Sequence, residues 1–232
     1  MSKQNPFKYY KTSPEIIKLA VMYYVRYPLS LRQVEDILFE RGIDVCHETI
    51  RYWWNKFGTK FTKDLNKKAS SSPSNWRWHI DEVFVKINGE LHYLWRAVDQ
   101  EGTVLDCVVT KKRDKKAAKR VLRKLLKNYG KPKEIVTDKL KSYKAALKIL
   151  GLEKLQNTDQ YKNNQVENSH LHFRRREKMW NKFRSMRSLQ KFTSIQSSFL
   201  NHFNHQRHLE NRQTFKKLRQ NSLDIWQEIC VN

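Results

Sequence analysis

From Ser13-Pro14 onward the apolar residues Ile16, Ile17, Leu19, Ala20, Tyr23, Tyr24 and Tyr27 recur at helical spacing until Pro28 ends the run. A serine cap with proline at the first helical position predicts where that helix starts. Ser30 and Gln33 then form an S-x-x-Q capping pattern ahead of Val34, Ile37, Leu38 and Phe39, the predicted core side of a second helix that Gly42 stops. After the short turn Ile43-Asp44-Val45, a third helix is predicted from about His47 through Thr49, Ile50, Tyr52, Trp53, Trp54 and Phe57. Residues 1–12 show no clear period and read as a flexible arm. Periodicity is lost again between Lys60 and Asn75, around Ala69-Ser70-Ser71-Ser72-Pro73, which reads as a linker.

Beyond the linker the pattern alternates. Trp78 to Ile87 reads as a half-buried strand that stops at Asn88-Gly89, a favoured two-residue hairpin turn. Leu91 to Val98 is its partner, and Gln100-Glu101-Gly102 turns into a third strand, Thr103 to Thr110, completing an antiparallel meander. From Asp114 the period is helical, with Ala117, Ala118, Val121, Leu122, Leu125 and Leu126 inside and Gly130 and Pro132 at the end. The apolar segment Glu134 to Thr137 follows; a strand reached through a crossover helix is expected to lie parallel to a neighbour, with Asp138 at its carboxyl end. A helix from Leu140 to Leu150, a short fifth strand at Lys154 to Thr158 and a helix carrying residues 165–176 come next. The last long helix, about Ser188 to His205, places Leu189, Phe192, Ile195, Phe199 and Phe203 along one side, expected to face the sheet. Leu223, Ile225, Trp226 and Ile229 fit a final docking helix.

Charge narrows the partner. Lys+Arg 47 against Asp+Glu 23 gives +24 and a pI near 10.0, which calls for a polyanion. A membrane surface is the competitor, but the basic residues are spread along the chain and no apolar run approaches the roughly 20 residues of a span. Without a signal-peptide core, a cytoplasmic, nucleoid-associated protein bound to nucleic acid is expected. Cys46, Cys107 and Cys230 are odd in number, far apart and form no CxxC pair, so reduced thiols are expected. His202, His205 and His208 recur every third residue and fit a polar helix face better than a zinc site. The second and third helices with their glycine-containing turn have the helix-turn-helix layout, whose second helix enters the DNA major groove. Its outward residues would be His47, Glu48, Arg51 and Lys56; the other reading is a plain three-helix bundle with Trp53 or Trp54 in its core.

Three acids stand apart. Strand alternation puts Asp81 on the face of Val83, Val85 and Ile87, the side expected to be dry, so it is either a solvated residue of a frayed strand start or a cation ligand. Asp138 is either the N-cap of the next helix or a ligand at a strand end. Glu167 shares a helical face with Asn164, Leu171, Arg174 and Lys178; an acid in a first turn also suits the helix dipole. The run Arg174-Arg175-Arg176 is ordinarily a solvated face and in so basic a chain reads as a phosphate track. His79 and Glu82 flank Asp81, with Glu82 on the opposite face.

The segments YPLSLRQVEDILFERGIDVCHETIRYWWNKF, WHIDEVFVKINGELHYLWRAVDQEG, TDKLKSY and NNQVENSH, with Arg174 seven residues after Glu167, resemble the DDE transposases and retroviral-type integrases. The chain looks closest to the insertion-sequence transposases of the IS-six family, over about Phe7 to Leu223. It departs from them in that Asp138 and Glu167 are 29 positions apart, a shorter separation than is familiar.

The resemblance implies an α/β chain whose all-α helix-turn-helix domain precedes a ribonuclease H-like domain with a mixed five-stranded sheet and flanking helices. The division would be a flexible arm 1–12, helix-turn-helix domain 13–60, linker 61–75, catalytic domain 76–206 and C-terminal docking segment 207–232. It further implies two Mg2+ ions, replaceable by Mn2+, bridged by Asp81 and held singly by Asp138 and Glu167, with Arg174, Arg175 and Lys178 on DNA phosphates. Water would free a 3′-hydroxyl at each transposon end and that hydroxyl would attack target DNA. The expected partners are double-stranded DNA and a second copy or more of the chain on DNA, with no membrane and no small-molecule substrate. A helix-turn-helix regulator with a non-catalytic second domain, and a ribonuclease H-type nuclease, are the rival readings.

Overall fold

A computed structural model describes residues 5–68, 76–159, 164–179, 183–205 and 210–229, except the side chains of residues 164, 165, 167, 168 and 179. The chain forms two compact units, Met1–Ser70 with Ser198–Asn232, and Ser71–Ser197.

In the helical unit, α1 (Pro14–Arg26) starts where Ser13 Oγ accepts from Ile16 N–H, and α2 (Leu31–Phe39) starts at a complete capping box between Ser30 and Gln33. Gly42, at φ 74°, makes the turn toward α3 (His47–Lys68) in a backbone region that favours glycine. Ile50, Trp53, Trp54 and Phe57 form a buried stripe on α3, which packs on α1 and α2, where Ile17, Val21, Tyr24, Val34 and Leu38 are buried; the Tyr24 and Trp54 rings lie 5.4 Å apart. Three expectations are corrected here. The stripe continues through Phe61 and Leu65, so residues 61–68 are helix rather than linker; residues 69–75 lie outside the described residues. Phe7 is 5% exposed, its ring 5.1 Å from that of Phe57, so the segment from residue 5 is packed on α3 rather than a flexible arm; residues 1–4 lie outside the described residues. Phe39 is 70% exposed, because the last buried position of α2 is Leu38.

The C-terminal helix α8 (Arg212–Glu228) belongs to this unit. Trp226 lies 5.3 Å from the Phe61 ring, and Lys18 Nζ donates to the Gln227 carbonyl at 2.7 Å. Helix α7 (Met186–Phe203) divides its apolar stripe: Leu189, Phe192 and Ile195 fall in the sheet unit, whereas Phe199 and Phe203 belong to the helical unit and pack on Trp226. His202 and His205 donate from Nε2 to the carbonyl and hydroxyl oxygens of Ser222 on α8, at 2.8 and 2.9 Å; His208 lies outside the described residues. These two histidines thus clamp one helix to the next.

Burial depresses the pKa of both His202 and His205. A depressed imidazole pKa means that the unfolded chain binds more protons, so stability is full above the ordinary histidine pKa and falls as the pH drops through it. Acidification from about pH 7.5 to about pH 5.5 is expected to lower the melting temperature of the wild type. His202→Gln is expected to flatten that dependence; an unchanged pH slope in the variant would count against the clamp.

In the sheet unit, β1 (Arg77–Ile87), β2 (Glu90–Asp99) and β3 (Val104–Thr110) form the antiparallel meander. Asn88 and Gly89 take φ 51° and 84° at the first turn, as a type I′ hairpin requires. Helix α4 (Lys115–Tyr129) crosses to β4 (Glu134–Thr137), parallel to β1, and α5 (Lys141–Ile149) leads to β5 (Gln156–Asn157). The sheet order is β3-β2-β1-β4-β5, the ribonuclease H-like arrangement. Trp78, Ile80, Trp95 and Ala97 pack with Ala118, Leu122 and Leu125 of α4 and Tyr143, Ala146 and Leu147 of α5 on one face. Helix α6 (Asn164–Met179) lies against β1 and β2. Gln190 of α7 accepts from Val109 N–H and donates to the Cys107 carbonyl, both at 2.8 Å, satisfying backbone groups of the edge strand β3. Among the described residues no helix is long and apolar enough to cross a membrane.

Candidate active site

Alternation along β1 is borne out by burial: Val83, Val85 and Ile87 are buried, and Phe84 and Lys86 are exposed. Ile80 pairs with Thr137, the last residue of β4, so Asp81 reaches the level of Asp138 where β4 stops. Further along β1 no strand among the described residues follows on that side, and the Asp81 carboxylate is partly exposed there. His170 of α6 sits against it, with Nε2 3.3 Å from Oδ2.

Asp138 is not the N-cap of α5. That position is Leu140, which makes no side-chain capping bond, and Asp138 Oδ1 instead accepts from Leu140 N–H at 3.1 Å in a local Asx-type turn. Its Oδ2 accepts from Arg113 Nη2 at 3.2 Å. Partial burial raises the Asp138 pKa and the Asp81 charge adds to the rise, while Leu140 N–H and Arg113 oppose it.

Glu82 leaves β1 on the α5 face, as alternation requires, and its side chain is fully buried. Tyr143 Oη donates to Oε2 at 2.7 Å and Arg113 Nε donates to Oε1. Burial lifts its pKa, against the pull of Tyr143 and Arg113. A glutamate side chain is long enough to return to the open end of the sheet: one oxygen each of Asp81, Glu82 and Asp138 lie within 4.8 Å of one another. An all-oxygen donor set of this kind suits a hard divalent cation such as Mg2+ or Mn2+. Glu82 is fully buried and spends both oxygens on Arg113 and Tyr143, whereas the Asp81 and Asp138 carboxylates are partly exposed, which makes these two the better donors. Glu167 lies on α6 one turn before His170, but its side chain is outside the described residues.

The expected phosphate track is not one face. Arg174 Nη1 donates to the Phe84 carbonyl at 2.9 Å and pairs with Glu177, tying α6 to β1 three residues beyond Asp81. Arg175 and Lys178 are exposed, whereas Arg176 points inward, 1% exposed, with its guanidinium over the Phe192 ring at 4.5 Å. On α3, Arg51 is exposed and paired with Glu48 at 2.7 Å, and Lys56 donates to Tyr52 Oη at 3.0 Å. Bonds to Tyr10 and Tyr52 raise the Lys56 pKa. His47 is half-buried and bonded through Nδ1 to Glu35 of α2 at 2.8 Å, so it joins the two helices of the motif.

Residues 75–206 match the family model of the DDE domain. Over 175 residues, covering 73% of this chain and 77% of the relative, the chain is 37% identical to a transposase for insertion sequence-like element IS431mec of Staphylococcus aureus. The chain belongs to the DDE transposases of insertion sequences, of the IS-six type. It is also 36% identical over 175 residues, 73% of this chain and 77% of the relative, to the transposase for insertion sequence element IS257 in transposon Tn4003 of Staphylococcus aureus. Among solved structures, the HTLV-2 integrase catalytic core domain in complex with magnesium aligns with 58% of this chain and 89% of its own at 16% identity and a TM-score of 0.43.

The transposase is thus a polynucleotidyl transferase by family. Sequence reasoning missed His170, Arg113 and Tyr143. His170 had a signal, since it is three positions after Glu167 on one helix. Arg113 had a weaker one: it follows the carboxyl end of β3, which runs parallel to β1 and β4. Tyr143 had none beyond its apolar helical spacing.

Proposed function

We propose that the transposase binds the terminal inverted repeats of its element and catalyses metal-dependent strand cleavage and strand transfer into target DNA. The observation that carries this reading is the placement of Asp81 beside Asp138 at the carboxyl end of β4, with oxygens close enough to share a cation. Asp81, Asp138 and Glu167 would hold two Mg2+ ions; Mn2+ has the same donor preference. Bound there, such ions stabilise both the attacking and the leaving oxygen of a phosphodiester displacement. His170 orients the Asp81 carboxylate through Nε2. Arg174, anchored on the Phe84 carbonyl, presents cationic charge along the DNA path, which Arg175 and Lys178 extend. Two ends must be held together for joining, so the acting form on DNA is a dimer or larger.

The test incubates the protein with labelled element ends and a target plasmid, with and without Mg2+. Joined products that require the metal support the proposal. Binding without joining in both conditions favours a helix-turn-helix regulator, and degradation of RNA in a hybrid favours a nuclease.

The charge on α3 makes a separate prediction. Arg51 and Lys56 are exposed one helical turn or so apart on the second helix of the motif. Arg51→Ala with Lys56→Ala is expected to weaken binding to element ends by about ten-fold or more and to reduce the salt dependence of binding, measured by fluorescence anisotropy. Unchanged affinity for ends would remove α3 as the reading helix.

A further inference from the structure

Arg113 is held by its neighbours in sequence and by two carboxylates at its head group. Before it, Thr110 Oγ donates to the Lys112 carbonyl and accepts from the buried Trp95 indole N–H, both at 2.8 Å. After it, Asp114 caps α4 by accepting from Ala117 N–H at 2.8 Å. Its guanidinium donates from Nε to Glu82 and from Nη2 to Asp138, and its central carbon lies 5.4 Å from the centroid of the Phe84 ring.

Glu82 is the informative partner. A fully buried carboxylate is a poor way to gain stability, because desolvation offsets most of its pairing energy. Here both oxygens are spent on orienting Tyr143 and Arg113. The result is a guanidinium fixed by its Nε edge inside the protein, with its Nη edge at the acidic cluster. Arginine carries five N–H donors in a planar fork that matches carboxylate and phosphate alike. Glu82 and Asp138 engage two of the five, and the side chain remains 28% exposed.

We propose that Arg113 is a phosphate-binding residue of the active site: Glu82 keeps the Nε edge, and the Nη2 donor moves from Asp138 to a non-bridging oxygen of the scissile phosphate. Were a divalent cation held by Asp138, the like charge of the guanidinium would be disfavoured beside the same carboxylate, which would favour the transfer. Lysine cannot replace it, since one ammonium does not span a buried carboxylate and a phosphate in fixed geometry. This inference rests on the reading of Asp81 and Asp138 as the metal-binding acids.

The test measures binding rather than turnover. Full-length protein is titrated by anisotropy, in Ca2+ buffer, into duplex element ends whose scissile phosphate is either native or a neutral methylphosphonate. The wild type is expected to bind the methylphosphonate about ten-fold more weakly, Arg113→Gln and Arg113→Lys only about two- to three-fold more weakly. Glu82→Gln, which keeps the shape but loses the charge that anchors Nε, is expected to shrink the penalty as well, and stands in if Arg113→Gln fails to fold by its melting curve. Equal penalties in the wild type and the Arg113 and Glu82 variants overturn the role of Arg113 while leaving the acidic site intact. A wild type that binds no element end overturns the functional reading itself.

Discussion

Asp81→Asn, Asp138→Asn and Glu167→Gln are each expected to reduce strand cleavage and joining on the order of ten-thousandfold, with binding to element ends unchanged. The substitutions keep shape and remove one negative charge, so they isolate the role as a cation ligand. At Asp81 the amide oxygen can still face His170, but it is a far weaker donor to a hard cation. At Asp138 the amide can still accept from Leu140 N–H, which places its NH2 against the Arg113 Nη2 donor. That clash of donors costs about a few tenths to 1 kcal/mol at a partly exposed site, too little to unfold the unit. Cleavage of labelled ends on denaturing gels, beside melting curves of the same preparations, separates lost chemistry from lost folding. A folded variant that retains cleavage within about ten-fold of wild type does not carry a ligand of the reaction.

What the sequence disclosed about this site was its local part. Alternation in β1 placed Asp81 on the face of Val83, Val85 and Ile87, and the turn at Asn88-Gly89 set the register against β2. The crossover rule placed Asp138 at the carboxyl end of a strand parallel to its neighbour. What stayed hidden depends on pairs distant along the chain. Glu82 reads correctly as facing away from Asp81 at its Cβ, yet its carboxylate is drawn back by Arg113, 31 residues on, and Tyr143, 61 residues on. No period in the sequence encodes such a meeting. Arg176 looked like its neighbours in a basic run, but helical geometry turns it 100° from Arg175 and into Phe192. Phe7 lies in a stretch with no repeat, and only the aromatic stripe of α3 gives it a place.

The second large effect concerns how α3 is supported. Trp226→Ala is expected to destabilise the helical unit by about 3–5 kcal/mol, whereas Phe39→Ala should change it by about 0.5 kcal/mol or less. Both remove a large apolar side chain, but Trp226 is 4% exposed and Phe39 70%. The Trp226 ring meets Phe61, Phe199 and Phe203 at 5.3, 5.1 and 5.8 Å, and rigid rings on three sides cannot collapse into the space it leaves. Phe61 lies on the same helix that exposes Arg51 and Lys56, so loosening its far end should also weaken recognition of element ends. Hydrogen exchange followed by mass spectrometry should show lost protection in α3 and α8 of Trp226→Ala, together with a lower melting temperature. If Trp226→Ala proves as harmless as Phe39→Ala, α8 is an appendage rather than part of the core that holds the reading helix. If it behaves as expected, any truncation meant to isolate DNA recognition must retain Ser198–Asn232 along with the N-terminal helices.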